Sequence, residues 1–248
     1  MGQNKLKIQD ADKLNILCLH GYRQNGDGFR SKTGSFRKFV KNYANFTYIT
    51  ADHFAKPLNE GDEIDENQRS WWFNKEDGSF KGTNENSAPA VGFQESLKLV
   101  EKVWNEGNFQ GILGFSQGAC FVSLICSMSE RNLTAIKPRF AMLAAGFRSG
   151  SLVHRGCYEN KITIPSLHVY GMNDEIIPNT YSEKLRDAFE APQFITHEGG
   201  HYFPATANEK QTYINFFQDQ LQAYLEDREM KVNGVTTQNE AEEEEVES

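Results

Sequence analysis

The stretch QGILGFSQGA, residues 110–119, decides the fold. Gln110 to Phe115 is a short apolar run of strand length, and from Gly118 the chain continues into the apolar, helix-length stretch ACFVSLICSM. Between the two stands Gly114-Phe115-Ser116-Gln117-Gly118, a G-x-S-x-G at a strand-to-helix junction. A side chain on so sharp a turn has strained backbone angles and close neighbours. Glycine at 114 and 118 keeps the turn from clashing, and Ser116 is presented at the carboxyl edge of a sheet.

The same alternation extends in both directions. Upstream, Leu14 to Leu19 reads as a buried strand ending in His20-Gly21, and SFRKFVKNYA sets Phe36, Phe39, Val40 and Tyr43 at helical spacing. Phe46 to Thr50 then reads as a strand, and a helix follows near Gly92 to Asn105. Downstream come strands at Phe140 to Leu143, Ser166 to Tyr170 and Gln193 to His197. Helices are expected at Thr180 to Phe189 and Lys210 to Leu225. Strands alternating with helices this regularly predict an α/β fold: a mainly parallel central sheet with helices on both faces, forming one domain over residues 13–228.

Residues 51–91 are polar and rich in Gly, Asn and Glu, too long for a mere connection, and are expected to form a lid or substrate loop. Trp71, Trp72 and Phe73 are its dense aromatic cluster. They either cover an apolar substrate cavity or pin the loop to the body.

A nucleophilic serine needs a base, and the base needs an orienting acid. On this fold the three follow the chain order Ser, acid, His. Asp174 follows the strand Ser166 to Tyr170 in GMNDEIIP, with Glu175 its nearest rival. His201 follows the last strand in EGGH, where two glycines permit a tight path, whereas His197 falls within the strand itself. His53, His154 and His168 have no partner pattern and are assigned structural roles. In this arrangement His201 takes the Ser116 proton during attack on a carbonyl, Asp174 steadies the imidazolium, and water then cleaves the acyl-enzyme. The oxyanion is expected to meet the backbone N–H of Gln117 and, from the loop after the first strand, that of Tyr22, with Arg23 next; His20 braces this loop.

Composition removes several other classes. An apolar fraction of 38% with 24% charged residues fits a folded globular chain. The net charge of −8 owes much to six glutamates among residues 240–247; without them 28 acids face 26 bases, which gives no footprint for nucleic acid. Residues 1–12 are expected to be a flexible N-terminus and 229–248 a disordered acidic tail. Cys18, Cys120, Cys126 and Cys157 include no C-x-x-C pair and read as reduced structural residues. With no signal-like stretch and no run of membrane-span length, the expected location is cytoplasmic. The sequons at Asn45 and Asn132 are read as chance matches. Neither a phosphate-binding glycine motif nor paired metal-ligand spacing is present, so no cofactor and no metal are expected.

Taken in order, LCLHGYRQNG, RSWWF, GILGFSQGA, YGMNDEIIP and HEGGHYFP resemble the FSH family of serine hydrolases, which includes the ovarian-cancer-associated-protein-2-like esterases, over roughly residues 12 to 225. The resemblance implies a single α/β-hydrolase domain, carboxylesterase activity on small-molecule esters with medium to long acyl or alkyl chains, and a place for Trp72 near the pocket. Its triad falls on Ser116, Asp174 and His201. Family members also include thioesterases, so an acyl thioester is the alternative substrate. A non-catalytic binding protein on the same fold is the alternative of another class.

Overall fold

The structure, a computed structural model, describes residues 10–87 and 89–246, with side chains as far as Lys231. Strand β1 (Leu14–Leu19) opens the sheet and is followed by helices α1 (Gly26–Lys32) and α2 (Gly34–Val40). Then come β2 (Ala44–Ile49), the short strands β3 (His53–Phe54) and β4 (Arg69–Ser70), and α3 (Phe93–Glu106). The second half runs β5 (Gly111–Phe115), α4 (Gln117–Glu130), β6 (Phe140–Ala144), β7 (Ser166–Gly171), α5 (Asn179–Arg186), β8 (Gln193–His197) and α6 (Ala207–Val246).

Six strands form one sheet in the order β2-β1-β5-β6-β7-β8, and every pairing in it is parallel. Parallel strands joined by helical crossovers are covered on both faces, and the burial of β1 shows how. Its Leu14, Ile16 and Cys18 join Phe36, Tyr213, Phe216 and Phe217 in a core under α2 and α6. The alternate Leu17 and Leu19 face Leu97, Val100, Phe121 and Leu185 of α3, α4 and α5. The α/β expectation is what the structure shows.

Several elements differ from the sequence expectation, among them the short antiparallel pair β3 and β4 within residues 51–91. Helix α1 stands where the sequence reads as loop: its two glycines lower helix propensity, and Asn25 compensates by capping it, Oδ1 accepting from Gly28 N–H at 2.7 Å. A seven-residue 3-10 helix, Leu152–Tyr158, fills a stretch with no periodic signal. The closing helix α6 runs as helical backbone to Val246, through most of the stretch 229–248 read as a disordered tail. A helix already nucleated on the body propagates at far lower cost than a new one forms. Of the expected flexible N-terminus, residues 1–9 lie outside the described residues; Asp10–Asp12 form one 3-10 turn, and Asp12 is bonded by Arg228 of α6 at 2.7 Å.

Candidate active site

The elbow after β5 has a steric cause. A Cβ on Gly114 would run into the backbone of Gly118 and Ala119, and one on Gly118 into the carbonyls of Leu19 and His20 at the end of β1. With both glycines in place, Ser116 adopts φ 54° and ψ −114°, a conformation that costs a non-glycine residue on the order of 1–3 kcal/mol. Its N–H is held by Ala144 O of β6 at 2.8 Å, and it stands at the N-terminus of α4.

The strand order brings two further loops to the same edge, because β7 and β8 follow β6 in the sheet and run parallel to β5. Asp174 is 5% exposed, and its Oδ1 accepts the N–H groups of Ile176 at 2.9 Å and Ile177 at 2.8 Å. That leaves Oδ2 for His201 Nδ1, at 2.7 Å. His201 Nε2 lies 2.9 Å from Ser116 Oγ. A carboxylate only accepts, so the ring proton sits on Nδ1 and Nε2 is free to accept from the serine hydroxyl. Asn173 stitches the acid loop to the base loop, donating from Nδ2 to Glu198 O at 2.6 Å and from its N–H to Gly199 O at 3.2 Å. Phe115 packs its ring 4.9 Å from the His201 imidazole. The rivals stand elsewhere: Glu175 is exposed, and His197 is buried with Nδ1 accepting Gly199 N–H at 3.2 Å.

The two expected oxyanion donors lie beside the serine. Gln117 is the first residue of α4, so its N–H has no carbonyl one turn back. The loop carrying Tyr22 touches Ser116, since a Cβ on Gly21 would stand 3.3 Å from Ser116 Cβ. The backbone N–H groups of Tyr22 and Gln117 have no partner among the described residues, whereas that of Arg23 is spent on Arg69 O at 2.8 Å.

The aromatic cluster sits inside the protein. Trp71 and Trp72 are both 0% exposed, and Trp72 packs edge-on against Phe80, Phe93 and Phe121. Trp71 N–H donates to Gln117 Oε1 at 3.0 Å, and Gln117 Nε2 donates to Trp72 O at 2.7 Å. The cluster therefore pins residues 70–72 to the start of α4. In this conformation neither indole offers surface to a substrate. Phe73 is half-buried and bridges Val91 through its backbone. The side-chain clamp of Gln117 leaves no mark in sequence spacing.

A groove of about 340 Å³ opens directly beside the imidazole, lined by Gln24, Phe29, Lys32, Phe115, His201, Tyr202 and Phe203. Most of that lining is aromatic, and Lys32 is its one lysine or arginine. Among the described residues no group of three or more His, Cys, Asp or Glu side chains is placed to hold a metal ion. Nor, among the described residues, is any helix long and apolar enough to cross a membrane.

Comparison with known proteins places the chain in a family. The family model described as serine hydrolase (FSH1) matches residues 9–213. The chain belongs to that family. Among relatives of this hydrolase, the esterase CG5412 of Drosophila melanogaster is 58% identical over 94% of this chain and 83% of its own length. Esterase OVCA2 of Danio rerio is 41% identical over 83% of this chain and 97% of its own length. Solved structures share the hydrolase's fold at low identity. The acyl-protein thioesterase 2 of Zea mays has a TM-score of 0.61 at 18% identity, covering 84% of this chain and 94% of its own. A Bacillus cereus carboxylesterase has a TM-score of 0.57 at 16% identity, covering 88% and 96%. The resemblance read from the five sequence motifs is thus the family the chain belongs to.

Proposed function

We propose that this serine hydrolase cleaves carboxylic esters through an acyl-enzyme, with Ser116 as nucleophile, His201 as base and then acid, and Asp174 as the group that orients the imidazole. The observation that carries this reading is the unbroken run from Asp174 Oδ2 to His201 at 2.7 Å and from His201 to Ser116 Oγ at 2.9 Å. His201 takes the serine proton as Oγ attacks the carbonyl carbon, and returns it to the departing alkoxide. Water, deprotonated by the same nitrogen, then frees the acid. The negative oxygen of each tetrahedral intermediate is met by the N–H groups of Gln117 and Tyr22. The Gln117 donor adds the positive end of the α4 dipole.

The groove beside His201 supports a substrate with an apolar chain, since Phe29, Phe115, Tyr202 and Phe203 line it. The names of the relatives, all esterases, favour an oxygen ester, and a thioester would pass through the same acyl-enzyme with a different leaving group.

Hydrolysis of p-nitrophenyl esters from acetate to palmitate, by wild type and Ser116→Ala side by side, tests the reading. Activity with a chain-length optimum that disappears in the mutant is expected. Matched acyl thioesters turned over faster than the esters would transfer the assignment to thioester hydrolysis. No turnover of either, with no labelling by a fluorophosphonate, would leave a binding protein.

A further inference from the structure

His20 is buried two residues before Tyr22 and takes no part in the proton transfers described above. Ala51 N–H donates to its Nε2 at 3.1 Å, so that nitrogen is an acceptor and the ring proton sits on Nδ1. Nδ1 lies 2.8 Å from the carbonyl oxygen of Gly21, which can only accept. Both contacts therefore demand the same neutral tautomer. Burial pushes the His20 pKa down to about 4, which keeps that tautomer in place through the neutral range.

The carbonyl of Gly21 and the N–H of Tyr22 belong to one planar trans peptide, so they point in opposite directions. Whatever fixes the oxygen also aims the N–H. The oxygen receives two bonds, from His20 Nδ1 and from Gln24 N–H at 3.2 Å. The neighbouring donors are occupied: Gly21 N–H by Gln24 Oε1 at 3.3 Å and Arg23 N–H by Arg69 O. The Tyr22 N–H, on the opposite side of the peptide from His20, is the donor left open. His20 is itself held, because Trp71 Nε1–H donates to its carbonyl at 2.8 Å.

We propose that His20 is a positioning residue of the hydrolase. Its Nδ1–H holds the Gly21–Tyr22 peptide at the angle that directs the Tyr22 N–H to the oxyanion of the tetrahedral intermediate. This rests on the serine mechanism proposed above, with Tyr22 as the second donor. A merely structural His20 would act through the other nitrogen, tying the end of β1 to Ala51.

Two substitutions separate these roles. In His20→Asn the side-chain amide reaches the Nδ1 position and not the Nε2 position, so the bond to Gly21 O survives and that to Ala51 is lost. In His20→Gln the longer amide reaches toward Ala51 and leaves Gly21 O to Gln24 alone. The readouts are kcat and KM on p-nitrophenyl butyrate, the melting temperature, and inhibition by an alkyl trifluoromethyl ketone, whose serine adduct carries an oxyanion. His20→Asn is expected to keep kcat within about threefold. His20→Gln is expected to lose between about 10- and 100-fold in kcat, with KM within about twofold and ketone affinity weakened in parallel. Equal kcat in the two variants, or a kcat loss in His20→Gln with ketone affinity unchanged, would overturn the role. If His20→Gln does not fold, His20→Asn carries the test alone, and a loss of about tenfold or more there overturns it. Turnover that survives Ser116→Ala overturns the serine mechanism and the His20 role with it. Ser116-dependent turnover indifferent to His20→Gln overturns the His20 role only.

Discussion

Asp174 shows how much a single carboxylate does once each of its oxygens has a separate task. Oδ1 accepts from Ile176 and Ile177 N–H, and Oδ2 faces His201 Nδ1. In Asp174→Asn the two isoleucine donors keep the amide oxygen on their side and turn the NH₂ toward His201. The imidazole must then accept at Nδ1 and carry its proton on Nε2, where it can no longer receive one from Ser116. A loss in kcat of roughly 10⁴-fold is expected, with KM and melting temperature little changed; the loss in a comparable triad is of that size. Glu175→Ala, at the exposed neighbouring position, should leave kcat within about threefold, and a large loss there would move the acid to Glu175. That Ser116, Asp174 and His201 would meet at one edge was legible in the sequence, because chain order and glycine placement are local signals that follow the fold. The bonds that fix their angles were not legible. They come from Ile176, Ile177 and Asn173, whose roles exist only once the acid and base loops have been brought to one edge.

At the scale of elements, the segment between β2 and α3 is where sequence left two readings open for Trp71 and Trp72. The structure seals both indoles in the core and clamps the intervening backbone to Gln117. Trp72→Ala would empty a fully enclosed site among Phe80, Phe93 and Phe121. A destabilisation of about 3–5 kcal/mol is expected, read as a lower urea midpoint, with esters of every chain length affected alike. On the proposed function, chain-length selectivity is expected from the groove beside His201 instead. Tyr202 is half exposed on its wall, so Tyr202→Ala should raise KM for octanoate and longer esters severalfold while sparing acetate; equal effects on all esters would remove the groove from substrate binding. Strands and long helices were legible because each repeats a burial pattern. Helix α1 and the 3-10 helix Leu152–Tyr158 carry no such repeat: one depends on the Asn25 cap, the other on packing against α4 through Cys157 and Tyr158.

On the scale of the whole molecule, folding buries several histidines in their neutral form, and this couples stability to pH. Burial lowers the pKa of His20 to about 4, of His154 to about 4 and of His168 to about 3, against 6.5 in the unfolded chain, and His197 shifts in the same direction. Between roughly pH 6.5 and 4 the unfolded chain therefore binds protons that the native state refuses. Stability is full above about pH 6.5 and falls as the pH drops toward the native values, by at most about 1.4 kcal/mol per pH unit for each histidine. Urea unfolding followed from pH 8 to 4.5 should show a flat stretch and then a decline whose slope corresponds to an uptake of up to about three protons by His20, His154 and His168. His168→Gln is the informative variant: its site, packed edge-on against Phe189 and bonded to Ser166 Oγ at 3.1 Å, is remote from the Ser116 loop in sequence and bonding. It should reduce the uptake by about one proton and leave kcat at pH 8 unchanged. An unfolding free energy that stays constant from pH 7 to 5 would mean that these imidazoles charge in the native state as readily as in water, and that burial is not what holds them neutral.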